Sequence, residues 1–483
     1  MELHFLIDKI DSGQSGDVCI DSRQVKDSDI FVAIKGTVSD GHDFIPQAIS
    51  NGAKTIVHDR SYEPNGISDV EFIAVDDTAL AAGILSQVSC GRPYSKLTSL
   101  AVTGTNGKTT TSSMVKFVIE NSGKKCGLIG TIANDICGEA KVLEANMTTP
   151  DAITLASLMQ QMVENGAQYM CLEASSHALE QRRLASISFK AAAFTNLTGD
   201  HLDYHKTMDN YLAAKSLLFE GLGKTDVAIL NLDDKYSRRI AQRCDCDVLW
   251  YSVKDSSADI YADIERLDQG GSVYQLCVDG RRLVVKSCFC GLHNVSNQLA
   301  AAGLCIAAGF NLDTIAEGLS NFKNVPGRLE RVECGQKFTV FVDYAHTDDA
   351  LENVLSTLKP ICEGKLITVF GCGGDRDKTK RPRMAQAAEK YSDIVWVTSD
   401  NPRTEDPESI ITDIKAGFSN KNDCVINIEP NRSVAIRKAV EIAGYGDIML
   451  IAGKGHENYQ VIGNKKHHFD DREEVEKCIR SQI

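Results

Sequence analysis

The run Thr103-Gly104-Thr105-Asn106-Gly107-Lys108-Thr109-Thr110 lies between an apolar stretch, Leu97 to Val102, and a helical pattern from Thr111 onward. A glycine-rich turn leaving a strand points successive backbone N–H groups into one concavity, and the following helix adds its positive end. Lys108 then reaches the outer phosphates of a nucleotide, and Thr109 can ligate Mg²⁺. A full-length phosphate loop would carry glycine where Val102 stands, so this is a shortened variant in which Gly104 makes the turn. Met114, Val115, Val118 and Ile119 form one apolar helical face and Gly123 supplies its stop, the strand–loop–helix context such a loop needs.

Other reactive side chains follow apolar runs. Tyr169 to Leu172 ends in Glu173-Ala174-Ser175-Ser176-His177, and Ala191 to Thr195 ends in Asn196, with Asp200 and His201 soon after. Carboxylate and imidazole at such strand ends suit metal and phosphate ligation, although any one of them also serves as a cap or turn. Lys215 falls on the apolar stripe of a helix with Leu212, Leu218 and Phe219. Two readings stand there: a lysine that snorkels to water, or a desolvated amine able to do chemistry. Further on, Asp343-Tyr344-Ala345-His346, Gly371 to Arg376, Asp400-Asn401-Pro402-Arg403 and Gly453 to Glu457 each follow a strand-like run, so they should share one sheet edge. Gly371-x-Gly373 is no dinucleotide fingerprint, because Arg376 stands where a third glycine must close helix on strand.

Three domains are expected to position these groups in a chain of 483 residues: 1–96, 97–326 and 327–483. The first is a small α/β domain with strands at Asp29–Ile34 and Thr55–Val57 and a helix over Phe44–Asn51. The second, central domain carries the phosphate loop in a mostly parallel sheet. The third is Rossmann-like and doubly wound, after the Pro326-Gly327 break. With 66 acidic against 52 basic residues the net charge is −14, which argues against nucleic-acid binding. The first residues lack a basic n-region and an apolar h-region, so the 16 cysteines are expected to be reduced thiols of a cytoplasmic protein. The pairs Cys244/Cys246 and Cys288/Cys290 are C-x-C, without zinc-site spacing. No apolar run reaches the roughly 18 residues of a membrane span.

Taken together, these motifs resemble the Mur ligase family of ATP-dependent amide-bond ligases. To the runs above the resemblance adds Met147-Thr148-Thr149-Pro150, Asp200-His201-Leu202-Asp203-Tyr204-His205, Ala213-Ala214-Lys215 and Gly291 to Asn297, in family order along the whole chain. It implies ATP on the loop Thr103 to Thr110, with Asn297, Arg328 and Asp343 near adenine and ribose and His346 also among the ATP-binding residues. It implies a Mg²⁺ shell of Thr109, Glu173, His201 and a carbamylated Lys215, with Lys108, Glu173, His201 and Lys215 serving catalysis. The acceptor UDP-N-acetylmuramoyl-L-alanyl-D-glutamate would meet Ser22, Thr37, Val38, Ser39, Asn146, Thr148, Thr149, Ser175, Gln181 and Arg183. The incoming amino acid would meet Arg376, Asp400, Asn401, Pro402, Arg403, Gly453 and Glu457, and the Asp-Asn-Pro-Arg loop resembles the version that takes meso-2,6-diaminopimelate rather than L-lysine. A monomer in peptidoglycan precursor synthesis is the implied setting. After His346-Thr347 the family commonly has proline, and this chain has Asp348. A folate-extending sibling and a non-catalytic ATP-binding protein are the competing readings; the Asp400 loop opposes the first, and the full set Lys108, Thr109, Glu173, His201 and Lys215 opposes the second.

Overall fold

A computed structural model describes residues 2–37, 39–64, 69–138, 143–145, 147–419 and 423–481. Val38 and Asn146, both expected at the acceptor site, lie outside these described residues. The chain divides into two compact units, Met1–Tyr261 with Asn297–Gly318, and Ala262–Ser296 with Leu319–Ile483.

The first unit holds two sheets. Its N-terminal sheet is parallel and four-stranded, in the order Val18–Cys19, Ile30–Val32, Thr55–Asp59, Glu71–Val75. Ile30 and Val32 face a core with Leu6, Val57 and Leu85, while Phe31 and Ala33 face Ile45, Ala48 and Ile56. Side chains alternate across a strand, so two apolar sets from one short run mean a sheet covered on both faces. The strand expected from Asp29 starts one residue later, because buried Asp29 accepts the N–H groups of Asp17 and Lys26 and so organises a turn. The helix expected over Phe44–Asn51 is Ile45–Ser50, preceded by a 3₁₀ turn at Gly41–Phe44.

The central sheet runs Asp247–Ser252, Val227–Asn231, Ala191–Phe194, Thr98–Thr103, Tyr169–Glu173, Cys126–Ile129, all parallel, then Ala133–Asp135 and Leu143–Glu144 antiparallel. Val102 pairs with Glu173 and Thr103 with Phe194, so the loops after three strands open on one edge. The helix after the phosphate loop spans Lys108–Asn121 and buries Met114, Val115, Val118 and Ile119, the face expected from their spacing.

In the second unit the strands Thr339–Asp343, Ile448–Ala452, Leu366–Phe370, Ile394–Val397 and Val425–Ile428 are parallel, with Glu330–Val332 antiparallel at one edge. Phe341, Leu450 and Phe370 pack with Leu351 and Leu355 on one face; Val340, Val342 and Ile451 pack with Ile436 and Val440 on the other. This is the doubly wound arrangement expected, and it puts Asp343, Gly371, Asp400 and Gly453 at or just beyond the carboxyl ends of four parallel strands. The hairpin Gly271–Val278 with Arg281–Ser287 was not foreseen among the strand–helix repeats. Among the described residues no helix is long and apolar enough to cross a membrane.

Candidate active site

The phosphate loop owes its shape to two glycines. Gly104 has φ 149° and Gly107, at the cap of the helix Lys108–Asn121, has φ 87°, conformations that side chains with a Cβ rarely adopt. A Cβ on Gly104 would run into the Thr195 hydroxyl, and one on Gly107 into the Asn297 side chain. Asn196 closes the other wall, accepting Thr105 N–H on its carbonyl at 2.9 Å and Asn106 N–H on its side chain at 3.0 Å. Lys108 curls back so that its ammonium donates to the carbonyls of Gly104 (3.0 Å) and Thr105 (2.9 Å). The first turn of the helix presents N–H groups that have no intrahelical acceptor, and with Lys108 these make an anion cradle.

Glu173, buried at the end of its strand, gathers oxygen donors around the cradle. Thr109 Oγ1 donates to its Oε2 at 3.0 Å, Thr131 Oγ1 to the same oxygen at 2.8 Å, and Thr131 N–H to Oε1 at 3.0 Å. Thr131 and Thr148 hydroxyls are 3.1 Å apart, which links this carboxylate to a residue expected at the acceptor. Thr149 Oγ1 donates to the Glu173 carbonyl and accepts Ser175 N–H. Arg183 donates to the Thr149 carbonyl at 2.8 Å and is held against Gln181. Ser22 is buried with its hydroxyl on Gln47, whereas Thr37 and Ser39 are exposed on a turn closed by Gly36 N–H to Ser39 O.

Lys215 is 1% exposed, and its ammonium donates to Gly104 O at 2.8 Å and lies 4.6 Å over the Tyr211 ring. It does not snorkel. Burial first, then the neighbouring charge of Lys108, holds its ammonium well below the ordinary lysine range. His201 is left-handed at φ 54°, within 3.5 Å of Asp200, and its ring stands edge-on to His177 at 5.0 Å. Among the described residues no three His, Cys, Asp or Glu side chains group where they could hold a metal ion.

In the second unit, the loop after Ile394–Val397 is fixed by a charged cluster. Lys454, wholly buried, donates to Asn401 Oδ1 at 3.1 Å and sits 3.4 Å from Asp400 and 3.5 Å from Glu457. Asn401 in turn donates to Glu457 Oε2 at 2.9 Å. Burial works against the Asp400 charge, but Lys454 and Arg432 prevail and hold its carboxyl below the usual range; at Glu457 burial wins and pushes the carboxyl up. Arg403 is left-handed at φ 53°; its N–H bonds Val461 O at 3.1 Å, its carbonyl accepts Gly463 N–H at 2.7 Å, and its guanidinium donates to Gly374 O at 2.7 Å. Pro402 is buried beside it, and Gly453 approaches Asp400 across the strand ends. Arg376 is exposed on the neighbouring loop.

Asp343 accepts Leu329 N–H (2.7 Å) and Ala345 N–H (2.8 Å), and burial pushes its carboxyl up. Arg328 stacks 4.9 Å over the Tyr344 ring, its Nε buried with no hydrogen-bond partner among the described residues. His346 bonds the Tyr344 carbonyl, and burial lowers its pKa.

Comparison with known proteins shows what this arrangement belongs to. Residues 17–87 match the Mur ligase family catalytic domain, 102–305 the Mur ligase middle domain, and 327–455 the Mur ligase glutamate ligase domain. The UDP-N-acetylmuramoyl-L-alanyl-D-glutamate--2,6-diaminopimelate ligase of Geobacillus thermodenitrificans is 44% identical over 96% of this chain and 94% of its own. The chain belongs to the Mur ligase family. A ligase of the same name from Syntrophomonas wolfei is 42% identical over 96% of this chain and 95% of its own. The solved structure of a ligase of that name superposes with a TM-score of 0.71 at 35% identity, covering 97% of this chain and 95% of that one. The Thermotoga maritima MurF ligase in complex with ADP, at 19% identity and a TM-score of 0.62, shares the fold.

Two side chains that bond the expected site residues of this Mur ligase were not singled out from the sequence. Thr131 follows the apolar run Cys126–Ile129 as the other polar strand-end groups follow theirs, a signal that was available. Lys454 lies inside the Gly453–Glu457 run, but nothing in the spacing marks it as the cation on which Asp400, Asn401 and Glu457 converge.

Proposed function

We propose that this ligase joins meso-2,6-diaminopimelate to UDP-N-acetylmuramoyl-L-alanyl-D-glutamate with cleavage of ATP to ADP and phosphate, a cytoplasmic step of peptidoglycan precursor synthesis. The observation that carries the reading is the convergence of Lys108 and Lys215 on Gly104 O beside the Thr109–Glu173 pair. We read that as a phosphate cradle beside carboxylate and hydroxyl oxygens, as activation of a carboxylate by a nucleotide requires. We assign residues 1–96 to the uridine end of the acceptor, 97–326 to ATP and 327–483 to the amino acid. In that assignment Asn297, Arg328, Asp343 and His346 attend the nucleoside.

The donors Thr109 and Glu173 are hard oxygens, which fits Mg²⁺. His201 and a carbamylated Lys215 would complete its holders, and the ion would supply positive charge to the phosphoryl oxygens. Carbamylation needs a neutral amine: its nitrogen bonds the carbon of CO₂ and releases a proton, leaving an anionic carbamate. Burial of Lys215 beside Lys108 supplies that neutral amine. Lys108 neutralises charge as the acceptor carboxylate takes the γ-phosphoryl group, and the diaminopimelate amine then displaces phosphate from the acyl phosphate. Arg403 offers a planar fork to the carboxylate of the second amino-acid head, and Asn401 and Glu457 face its ammonium.

ADP release measured across a panel of amino acids tests the whole reading. Turnover should require the UDP-linked acceptor and be fastest with meso-diaminopimelate. Comparable kcat/KM for L-lysine would overturn the substrate assignment, and acceptor-independent ADP release would overturn the ligase reaction.

A further inference from the structure

Lys454 has no exposed side-chain surface, and no step above uses it. A buried ammonium is costly unless its surroundings repay the lost water, and here one cation serves three acceptors: Asn401 Oδ1, Asp400 Oδ1 and Glu457 Oε2. Two consequences follow from the geometry. Asn401 Oδ1 accepts from Lys454 and from Val461 N–H, so its amide nitrogen must turn toward Glu457. The carboxylates of Asp400 and Glu457, which repel, are bridged by a positive charge between them.

We propose that Lys454 is a positioning residue of the amino-acid pocket, fixing the Asn401 amide and keeping Glu457 anionic so that it can receive the ammonium of the incoming diamino acid. The pocket's identity rests on the function proposed above; the effect of Lys454 on Glu457 does not. Besides Lys454, Glu457 faces Asn401 and Asp400 from the loop after Ile394–Val397, Tyr344 from the end of Thr339–Asp343, and Arg432 from the helix Arg432–Ile442. Arg432 cannot take over from Lys454, because its guanidinium is bound at two points, 2.7 Å each, by Asp471. Burial already pushes the Glu457 carboxyl up against the pull of Lys454. Without Lys454 it rises further, more of it is protonated at a given pH, and ammonium binding recovers only as pH rises.

The test compares the parent with Lys454→Met and Lys454→Arg at pH values from about 6 to 9. For Lys454→Met, KM for diaminopimelate should rise about 10–100-fold, the size of one lost charged hydrogen bond. That rise should shrink toward high pH, with KM for ATP and for the acceptor nearly unchanged. Lys454→Arg, which keeps the cation, should recover part of the loss. The second readout is ¹³C NMR titration of the Glu457 carboxyl, assigned through Glu457→Gln; it should titrate higher in Lys454→Met than in the parent. A Glu457 titration unmoved in Lys454→Met, or an equal rise in all three KM values, overturns the proposal. A parent that ignores diaminopimelate while the titration moves as stated overturns the pocket assignment and leaves the Lys454–Glu457 coupling standing.

Discussion

Lys215 faces the energetic problem of a cation without water. Its ammonium donates to a backbone carbonyl, Gly104 O, and Lys108 is close enough to repel it. Both effects favour the neutral amine, and conversion to a carbamate would replace an ill-placed cation by an anion facing one. Lys215→Ala should therefore lower turnover by about 10²–10⁴, typical of losing a charge-stabilising group, while binding of the UDP-linked acceptor stays near the parent value. Calorimetric binding beside ADP release checks this, and partial rescue by added short carboxylates would support the carbamate. A variant that turned over like the parent would leave Lys215 a structural lysine. Arg403 is held in a left-handed conformation that costs about 1–2 kcal/mol in a non-glycine residue, a strain tolerated because Val461 and Gly463 clamp its backbone. Arg403→Ala should cut kcat/KM for diaminopimelate by about 10²–10⁴, two charged hydrogen bonds, with little change in KM for ATP. An equal loss for ATP would show that Arg403 only ties down its loop.

Between elements, the second unit uses a buried arginine as a tie. Arg381, on the helix Lys380–Tyr391, bonds Glu405 at 2.9 and 3.1 Å, Asp413 at 2.8 Å and the Gly373 carbonyl at 3.2 Å. Glu405 also accepts Asp375 N–H at 2.6 Å, so one side chain joins the glycine-rich loop, the loop bearing Arg403 and the helix Pro407–Lys415. Removing Arg381 leaves the partly exposed carboxylates of Glu405 and Asp413 without the buried guanidinium that joins them. Arg381→Met should cost about 1.5–3 kcal/mol of stability in this unit, the size of a lost charged hydrogen bond, read by denaturant unfolding of the purified protein. A change under about 1 kcal/mol would mean that packing alone holds these loops.

Over the whole molecule, the paired and buried titratable groups fix how acid acts. Glu405, ordinarily near 4.5, is held down to about 2, chiefly by its Arg381 hydrogen bond. The unfolded chain binds that proton first, so this contribution is present above about 4.5 and is lost as pH falls toward 2. Burial lowers His456 from 6.5 to about 4, so the fold also disfavours its protonation, and stability falls as pH drops through that window. Both act in one direction. The melting temperature should decline from pH about 6.5 downward, and His456→Gln should flatten the upper part of that decline; a curve unchanged in that variant would remove His456 from the account.

Local physics made much of this legible in the sequence. The phosphate loop could be read because its parts are adjacent: an apolar strand, two glycines, Lys108-Thr109 and a helix with Met114, Val115, Val118 and Ile119 on one face. The continuous apolar runs ending in Glu173, Asp343 and Asp400 announced buried parallel strands with polar ends, since a strand covered on both faces has no room for alternation. Spacing put Lys215 on a buried stripe but left its amine undecided between water and the interior. Its acceptor, Gly104 O, is 111 residues away, and only the pairing of distant strands brings the two together. Sequence could place Arg403 in a recognisable loop. The clamp from Val461 and Gly463 and the cation of Lys454 under Asn401 belong to tertiary structure, because hydrogen bonds and charges act through distance in space, which chain order does not encode.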